Sequence, residues 1–234
     1  MIPPSTQWIL FDGDNTLWNV EILYDEARAA LCRLLAGGTT TAGDVDRFQR
    51  ETDAGLYREM GYSRHRFPRS FTETARHYLA DGDDRIEAAR RLSEQVFERA
   101  AVPAADVDEI LEDLARSYRL ALLTAGEPEV QRARLAHFGR NHYFAEVRIV
   151  ERKDVATIAR LLADVGADPA RSWMVGDSLK SDIVPAIGAG LNAVHLDVAN
   201  WREVEAAGSS LPERARVART LRDAADLILQ SSRG

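Results

Sequence analysis

Short apolar runs alternate with helix-period segments through most of this chain, and the runs stop abruptly at polar residues. Trp8-Ile9-Leu10-Phe11 ends in Asp12-Gly13-Asp14-Asn15. The run at 120–123 ends at Thr124, and the run at 147–150 leads to Arg152 and Lys153. Trp173-Met174-Val175 ends in Gly176-Asp177, and a further run covers 193–196. Unbroken apolar runs this short read as strands buried on both faces. Helical patterns separate them: 107–118, 128–138, 155–165 and 183–187. Strands alternating with helices imply an α/β fold, a doubly wound parallel sheet joined by right-handed crossovers. In such sheets the chemistry gathers at the C-terminal strand ends, where Asp12, Asp14, Thr124, Lys153 and Asp177 fall.

One stretch breaks the alternation. After the first strand, Val20, Leu23, Ala27, Leu31 and Leu34 recur at helical spacing until Gly37-Gly38. Val45, Phe48 and Leu56 suggest a second helix, 70–79 a third, and Ile86, Ala89, Leu92, Val96 and Ala100 a fourth. The reading is a core domain of residues 1–18 and 102–234, with an inserted all-helical cap domain at 19–101. A weaker strand near 217–221 and a helix near 224–229 close the chain.

Charge and composition narrow the function. The 234 residues carry a formal charge of −7, which argues against general affinity for nucleic acid or anionic membranes. An anionic substrate would therefore need local basic residues. The single cysteine, Cys32, excludes an intramolecular disulfide and sits in a helical apolar pattern, where it reads as a small core residue. The first seven residues lack the pattern of a signal peptide, and no apolar run reaches membrane-spanning length. The expected location is the cytoplasm, as a monomer or homodimer.

Asp12 and Asp14 stand two apart at one strand end. Two such carboxylates repel unless a metal compensates or one stays protonated. Phosphoryl transfer uses both possibilities: one carboxylate as nucleophile, the other as acid and then base. Asp177 and Asp182 follow another strand, and an all-oxygen ligand set suits Mg²⁺. The Thr124 hydroxyl and the backbone N–H groups of Ala125 and Gly126 are candidates for binding phosphoryl oxygens. Lys153 supplies positive charge where the transition state gathers negative charge. Asp182 also reads as a charge favoured at a helix N-terminus, or as support for the metal ligands from behind.

In order along the chain, Asp12-Gly13-Asp14-Asn15-Thr16, Thr124, Lys153 and Gly176-Asp177-Ser178 through Ser181-Asp182 resemble the four motifs of the haloacid dehalogenase-like superfamily. The resemblance covers nearly the whole chain and is similar in detail to phosphatases with a helical cap after strand one. It implies Asp12 as nucleophile, Asp14 as general acid–base, and phosphate contacts from Thr124 and Lys153. It implies Mg²⁺ held by the Asp12 side chain, the Asp14 backbone carbonyl and Asp177. In motif three the family often has proline after the lysine, whereas Asp154 follows Lys153, and Arg152 competes for the role.

The activity expected is Mg²⁺-dependent hydrolysis of a small phosphorylated metabolite through an aspartyl-phosphate. A phosphotransferase or phosphomutase would keep the same residues. A 2-haloacid dehalogenase needs neither Mg²⁺ nor an acid at position 14, and a binding protein on this fold would have lost catalytic residues. In the helical insertion, Arg64-His65-Arg66-Phe67-Pro68-Arg69 concentrates positive charge. A solvated loop is the favoured reading there, a substrate-binding loop the alternative. Trp18 reads either as lining the pocket mouth or as packing at the hinge between the two domains.

Overall fold

A computed structural model describes residues 6–197 and 212–231. Along the chain it forms β1 (Trp8–Phe11), the short β2 (Trp18–Asn19), α1 (Glu21–Leu35), α2 (Ala42–Met60), α3 (Arg66–Tyr78), α4 (Asp84–Glu98) and β3 (Val102–Pro103). There follow α5 (Val107–Ala115), β4 (Arg119–Ala125), α6 (Pro128–Phe138), β5 (Glu146–Val150), α7 (Val155–Val165), β6 (Trp173–Gly176), α8 (Val184–Gly188), β7 (Asn192–Leu196), β8 (Ala215–Ala218) and α9 (Leu221–Ser231). The chain divides into two compact units, Met1–Asn19 with Val102–Gly234, and Val20–Ala101.

The first unit is a six-stranded sheet in the order β5-β4-β1-β6-β7-β8, every neighbouring pair parallel. Strand order reverses between β4 and β6, on either side of β1, which is where such sheets place their ligands. All four residues of β1 are buried, because helices cover both faces of a central parallel strand. Trp8 and Leu10 pack with Ala121, Leu123, Ile158, Leu162, Met174 and Ile183 in one apolar cluster. The strand expected near 217–221 lies earlier, at β8, and Leu221 already begins α9. Thr220 and Asp223 bond reciprocally there, each side chain accepting from the other's backbone N–H, which fixes the start of the helix. The antiparallel pair β2–β3 had no signature in the sequence, since two residues show no alternation.

The second unit is helical. Its core joins Leu23, Leu31, Val45, Phe67, Phe71, Ala89 and Val96, with Cys32 among them as expected. Thr41 and Asp44 form a capping box at the start of α2. The basic segment at 64–69 is only in part the solvated loop expected: Arg64 and His65 form a turn, and His65 and Arg69 are exposed. Helix α3 begins at Arg66, four residues before the expected start, and Phe67 is buried. The Arg66 guanidinium donates to Asp53 Oδ2 at 2.8 Å and lies over the Tyr57 ring, with 11% of its side chain exposed. A buried carboxylate on α2 thus draws this arginine inward, and a sequence pattern gives no sign of that partner. Burial raises the Asp53 carboxyl above its ordinary range, and Arg66 and Arg28 offset this only in part.

Candidate active site

The turn after β1 sets the site. Asp12 donates its N–H to Val175 O on β6 at 2.9 Å, which fixes the nucleophile candidate at the strand end. The chain then folds back tightly: the N–H groups of Thr16, Leu17 and Trp18 all point to Gly13 O. Asn15 takes a left-handed conformation, φ 60°, one that asparagine tolerates better than most residues. The Trp18 ring closes over Gly13 so tightly that a Cβ there would lie 2.4 Å from a ring carbon. The turn brings the Trp18 indole N–H to Asp14 Oδ1 at 2.7 Å.

Asp12, Lys153, Asp177 and Asp182 converge on one buried spot. The Lys153 ammonium bonds Asp12 Oδ1 and, at 2.5 Å, Asp182 Oδ1. Lys153 is 5% exposed and Asp182 1%. Asp182 uses its other oxygen to accept the Ser178 N–H at 3.0 Å. It belongs to a single π-helical turn, Leu179–Ile183, a local widening often found at functional sites. That turn presses the Asp182 carboxylate against Gly176, where a Cβ would come within 2.4 Å of it, so only glycine fits. Carboxylate oxygens of Asp12, Asp177 and Asp182 lie within 4.8 Å of one another. Three buried carboxylates facing one ammonium leave an excess of negative charge, and hard oxygen donors in this number suit a small divalent cation.

The electrostatics follow from that excess. Burial pushes the Asp12 carboxyl well above the usual carboxylate range. Lys153 opposes this, and the charges of Asp182, Asp177 and Asp14 add to it. Burial works against the Lys153 ammonium, but Asp12 and Asp182 outweigh it and hold it charged. Arg152, the competitor for the motif-three role, is exposed and pairs with Asp154 at 3.1 Å. The Asp154 side chain in turn caps α7 through the Thr157 N–H.

Thr124 and Asp14 form a second, linked group. Thr124 donates its hydroxyl to Gln131 Oε1 at 3.1 Å. The amide N of Gln131 reaches Asp14 Oδ2 at 3.1 Å and Ala125 O at 3.2 Å. Arg134, one helical turn along α6, forms a close ion pair with the same Asp14 oxygen. The expected role for the Gly126 N–H is corrected. It donates to Val150 O at 3.0 Å and is therefore spent in the sheet. Gly126 has φ 140°, a conformation that L side chains rarely adopt, so the turn into α6 needs glycine.

Gln131, Arg134 and His195 were not singled out from the sequence. The first two are 3% and 8% exposed despite their polarity. Their signal is weak but real: polar side chains three apart, on the face of α6 that also buries Val130, Leu135 and Phe138. The His195 ring nitrogen lies 3.0 Å from Asp177 O and braces the loop that carries this ligand candidate. Trp18, 1% exposed, bonds Asp14 and packs on Phe138 with ring centroids 4.9 Å apart.

A family model described as a haloacid dehalogenase-like hydrolase matches residues 6–190, and this chain belongs to that family. Among curated relatives, a phosphoserine phosphatase from Thermus thermophilus is 34% identical over 130 residues, 52% of this chain and 52% of that protein. The match thus spans about half the length of that relative. A glyceraldehyde 3-phosphate phosphatase from Methanothermobacter thermautotrophicus is 26% identical over 80% of this chain and 83% of its own. The solved haloacid dehalogenase-like hydrolase from Xanthomonas campestris shares the fold, with TM-score 0.77 and 23% identity over 97% of this chain and 94% of that one. The L-2-haloacid dehalogenase from Xanthobacter autotrophicus shares it too, with TM-score 0.62 and 18% identity over 95% and 98%. Among the described residues, no helix is long and apolar enough to cross a membrane.

Proposed function

We propose that the chain is a Mg²⁺-dependent phosphohydrolase that cleaves a small phosphomonoester through an aspartyl-phosphate on Asp12. The observation that carries this reading is the pairing of two distinct carboxylate environments two residues apart. Asp12 lies with Asp177 and Asp182 beside Lys153, whereas the Asp14 side chain is drawn away to Trp18, Gln131 and Arg134. Carboxylates separated in this way leave one for attack and the other for proton transfer, and a divalent cation beside Asp12 would offset the burial that raises its carboxyl. A dehalogenase has no use for the second one.

In the first step an Asp12 carboxylate oxygen attacks phosphorus, and the bond to the leaving oxygen breaks. Asp14 gives its proton to that oxygen. In the second step water attacks phosphorus, Asp14 takes a proton from it, and Asp12 leaves inorganic phosphate behind. Lys153 orients Asp12 and counters the charge that builds on the transferred group. Thr124, near the end of β4, would meet a phosphoryl oxygen by turning its hydroxyl proton away from Gln131 Oε1. The buried carboxylates suit Mg²⁺: Asp12, Asp177 and the Asp14 carbonyl would hold it, with Asp182 keeping Lys153 in register. When bound, Mg²⁺ would offset the negative charge shared by the carboxylates and the phosphoryl group.

The substrate is proposed to be a small phosphorylated metabolite of the cytoplasm, in keeping with the phosphatase relatives. A screen of the purified chain against phosphorylated metabolites, with Mg²⁺ and then with chelator, tests the reading. Phosphate release that depends on Mg²⁺ is expected. No release from any ester, or release of halide from a 2-haloacid, overturns it. Transfer of the phosphoryl group to an alcohol in preference to water would reassign the chain as a phosphotransferase.

A further inference from the structure

We infer that Arg134 and Gln131 are positioning residues for Asp14: they anchor one oxygen of its carboxyl and leave the other to handle the proton. The inference rests on the phosphohydrolase reading and concerns how its acid–base group is held. The two Asp14 oxygens are treated differently. Oδ2 accepts from both Gln131 and Arg134, side chains three apart on α6 and almost wholly buried. Oδ1 accepts the Trp18 indole N–H, a neutral donor.

A guanidinium always donates and never accepts, and a charge-assisted bond to it is the strongest of the three contacts. Arg134 therefore fixes Oδ2. The working oxygen is Oδ1, whose one neutral partner is the easiest to exchange for a leaving group or a water.

Gln131 adds a second constraint. One amide joins Asp14 to Thr124: its nitrogen donates to Asp14 Oδ2, and its oxygen accepts the Thr124 hydroxyl. The acid–base group and the proposed phosphate-binding hydroxyl are thus set at a fixed separation by one side chain. Gln131 is itself held by Ala125 O and by the close approach of Gly126, where the amide nitrogen would lie 3.1 Å from a Cβ. Helix α6 starts from the loop that follows Thr124, so one rigid element supplies both anchors. Misplacing an acid–base group by an ångström costs on the order of 100-fold in rate.

The test separates the two chemical steps by leaving group. A nitrophenolate leaves without protonation, whereas an alkoxide needs the proton from Asp14. Phosphoenzyme formation is measured by rapid quench with p-nitrophenyl phosphate and with an alkyl phosphate that the wild type cleaves. The chains compared are wild type, Arg134→Ala, Arg134→Lys, Asp14→Asn and the double variant Asp14→Asn/Arg134→Ala. Arg134→Ala should slow the first step with the alkyl ester roughly 10- to 100-fold, and with the aryl ester less than about threefold. Arg134→Lys, which keeps a donor and a charge, should recover part of the loss. The double variant should be no slower than Asp14→Asn alone, because the anchor matters only through the group it holds.

An equal fall with both esters, no fall with either, or additive losses in the double variant would overturn the positioning role while leaving the phosphatase reading intact. If Arg134→Ala does not fold, the same comparison of esters with Arg134→Lys decides. A wild-type chain that forms no phosphoenzyme with any ester overturns the inference together with the reading beneath it.

Discussion

Lys153→Met removes the one ammonium from a buried group of carboxylates and nearly preserves side-chain volume. In the native chain this ammonium bonds both Asp12 and Asp182, which are 6% and 1% exposed. Breaking a buried ion pair from one side costs roughly 3–5 kcal/mol, because the remaining charge is stranded. Protonation sets a ceiling on that penalty. Lifting an ordinary carboxyl, with pKa near 3.9, to neutrality at pH 7.5 costs roughly 5 kcal/mol, and at pH 5 only about 1.5 kcal/mol.

The sign depends on which partner titrates. Lys153 is held charged with its pKa raised, so its stabilisation is present throughout the neutral range and would fade only at strongly alkaline pH. Asp12 is already raised by burial, so the unfolded chain loses its proton first and the metal-free protein weakens as pH climbs above about 4. Lys153→Met widens that window. Thermal unfolding in chelator should therefore show a loss of roughly 6–20 °C at pH 7.5, taking about 2–4 °C per kcal/mol for a domain of this size. The loss should shrink to a few degrees at pH 5. An unchanged melting temperature, or the same loss at both pH values, would refute the picture of Lys153 as the compensating charge.

Gly176→Ala should push the Asp182 carboxylate off its seat 2.4 Å away, costing about 1–3 kcal/mol in stability. It should also weaken Mg²⁺ binding measured by calorimetry, and unchanged binding would argue that Asp182 does not shape the metal site. Arg66→Ala strands the buried Asp53 carboxylate and should destabilise the helical unit by roughly 3–5 kcal/mol at pH 7.5. Asp53→Asn/Arg66→Met should recover most of that in urea titrations. No loss in Arg66→Ala, or no recovery in the double variant, would mean that the pair carries no such strain. Asp177→Ala should leave the circular dichroism spectrum unchanged while abolishing Mg²⁺-dependent protection against heat. That protection amounts to about 2.7 kcal/mol at a metal concentration 100 times its Kd.

The chain's architecture was legible because parallel strands buried on both faces leave unbroken apolar runs, as in Trp8–Phe11 and Trp173–Gly176. The strand-end residues Asp12, Thr124 and Asp177 follow from the same geometry, since each run stops where the polypeptide reaches the ligand side of the sheet. What escaped were relations between elements. Gln131 and Arg134 look like ordinary polar residues of α6 until the turn after β1 brings Asp14 against them. Arg66 looked solvated because its partner Asp53 lies thirteen residues away on another helix. The sheet bond of the Gly126 N–H depends on the register of β4 against β5, which an apolar run does not reveal. The π-helical turn that seats Asp182 has no pattern of its own, yet Gly176 is present because of it.

Acid quench during turnover, followed by mass spectrometry of the peptide carrying Asp12, tests the central claim most directly. The account predicts a phosphoryl adduct on Asp12 that forms with Mg²⁺ and substrate. The adduct should be absent in chelator and absent from Asp12→Asn, which should also release no phosphate. Steady phosphate release by Asp12→Asn, or an adduct on another residue of the wild-type chain, would contradict it.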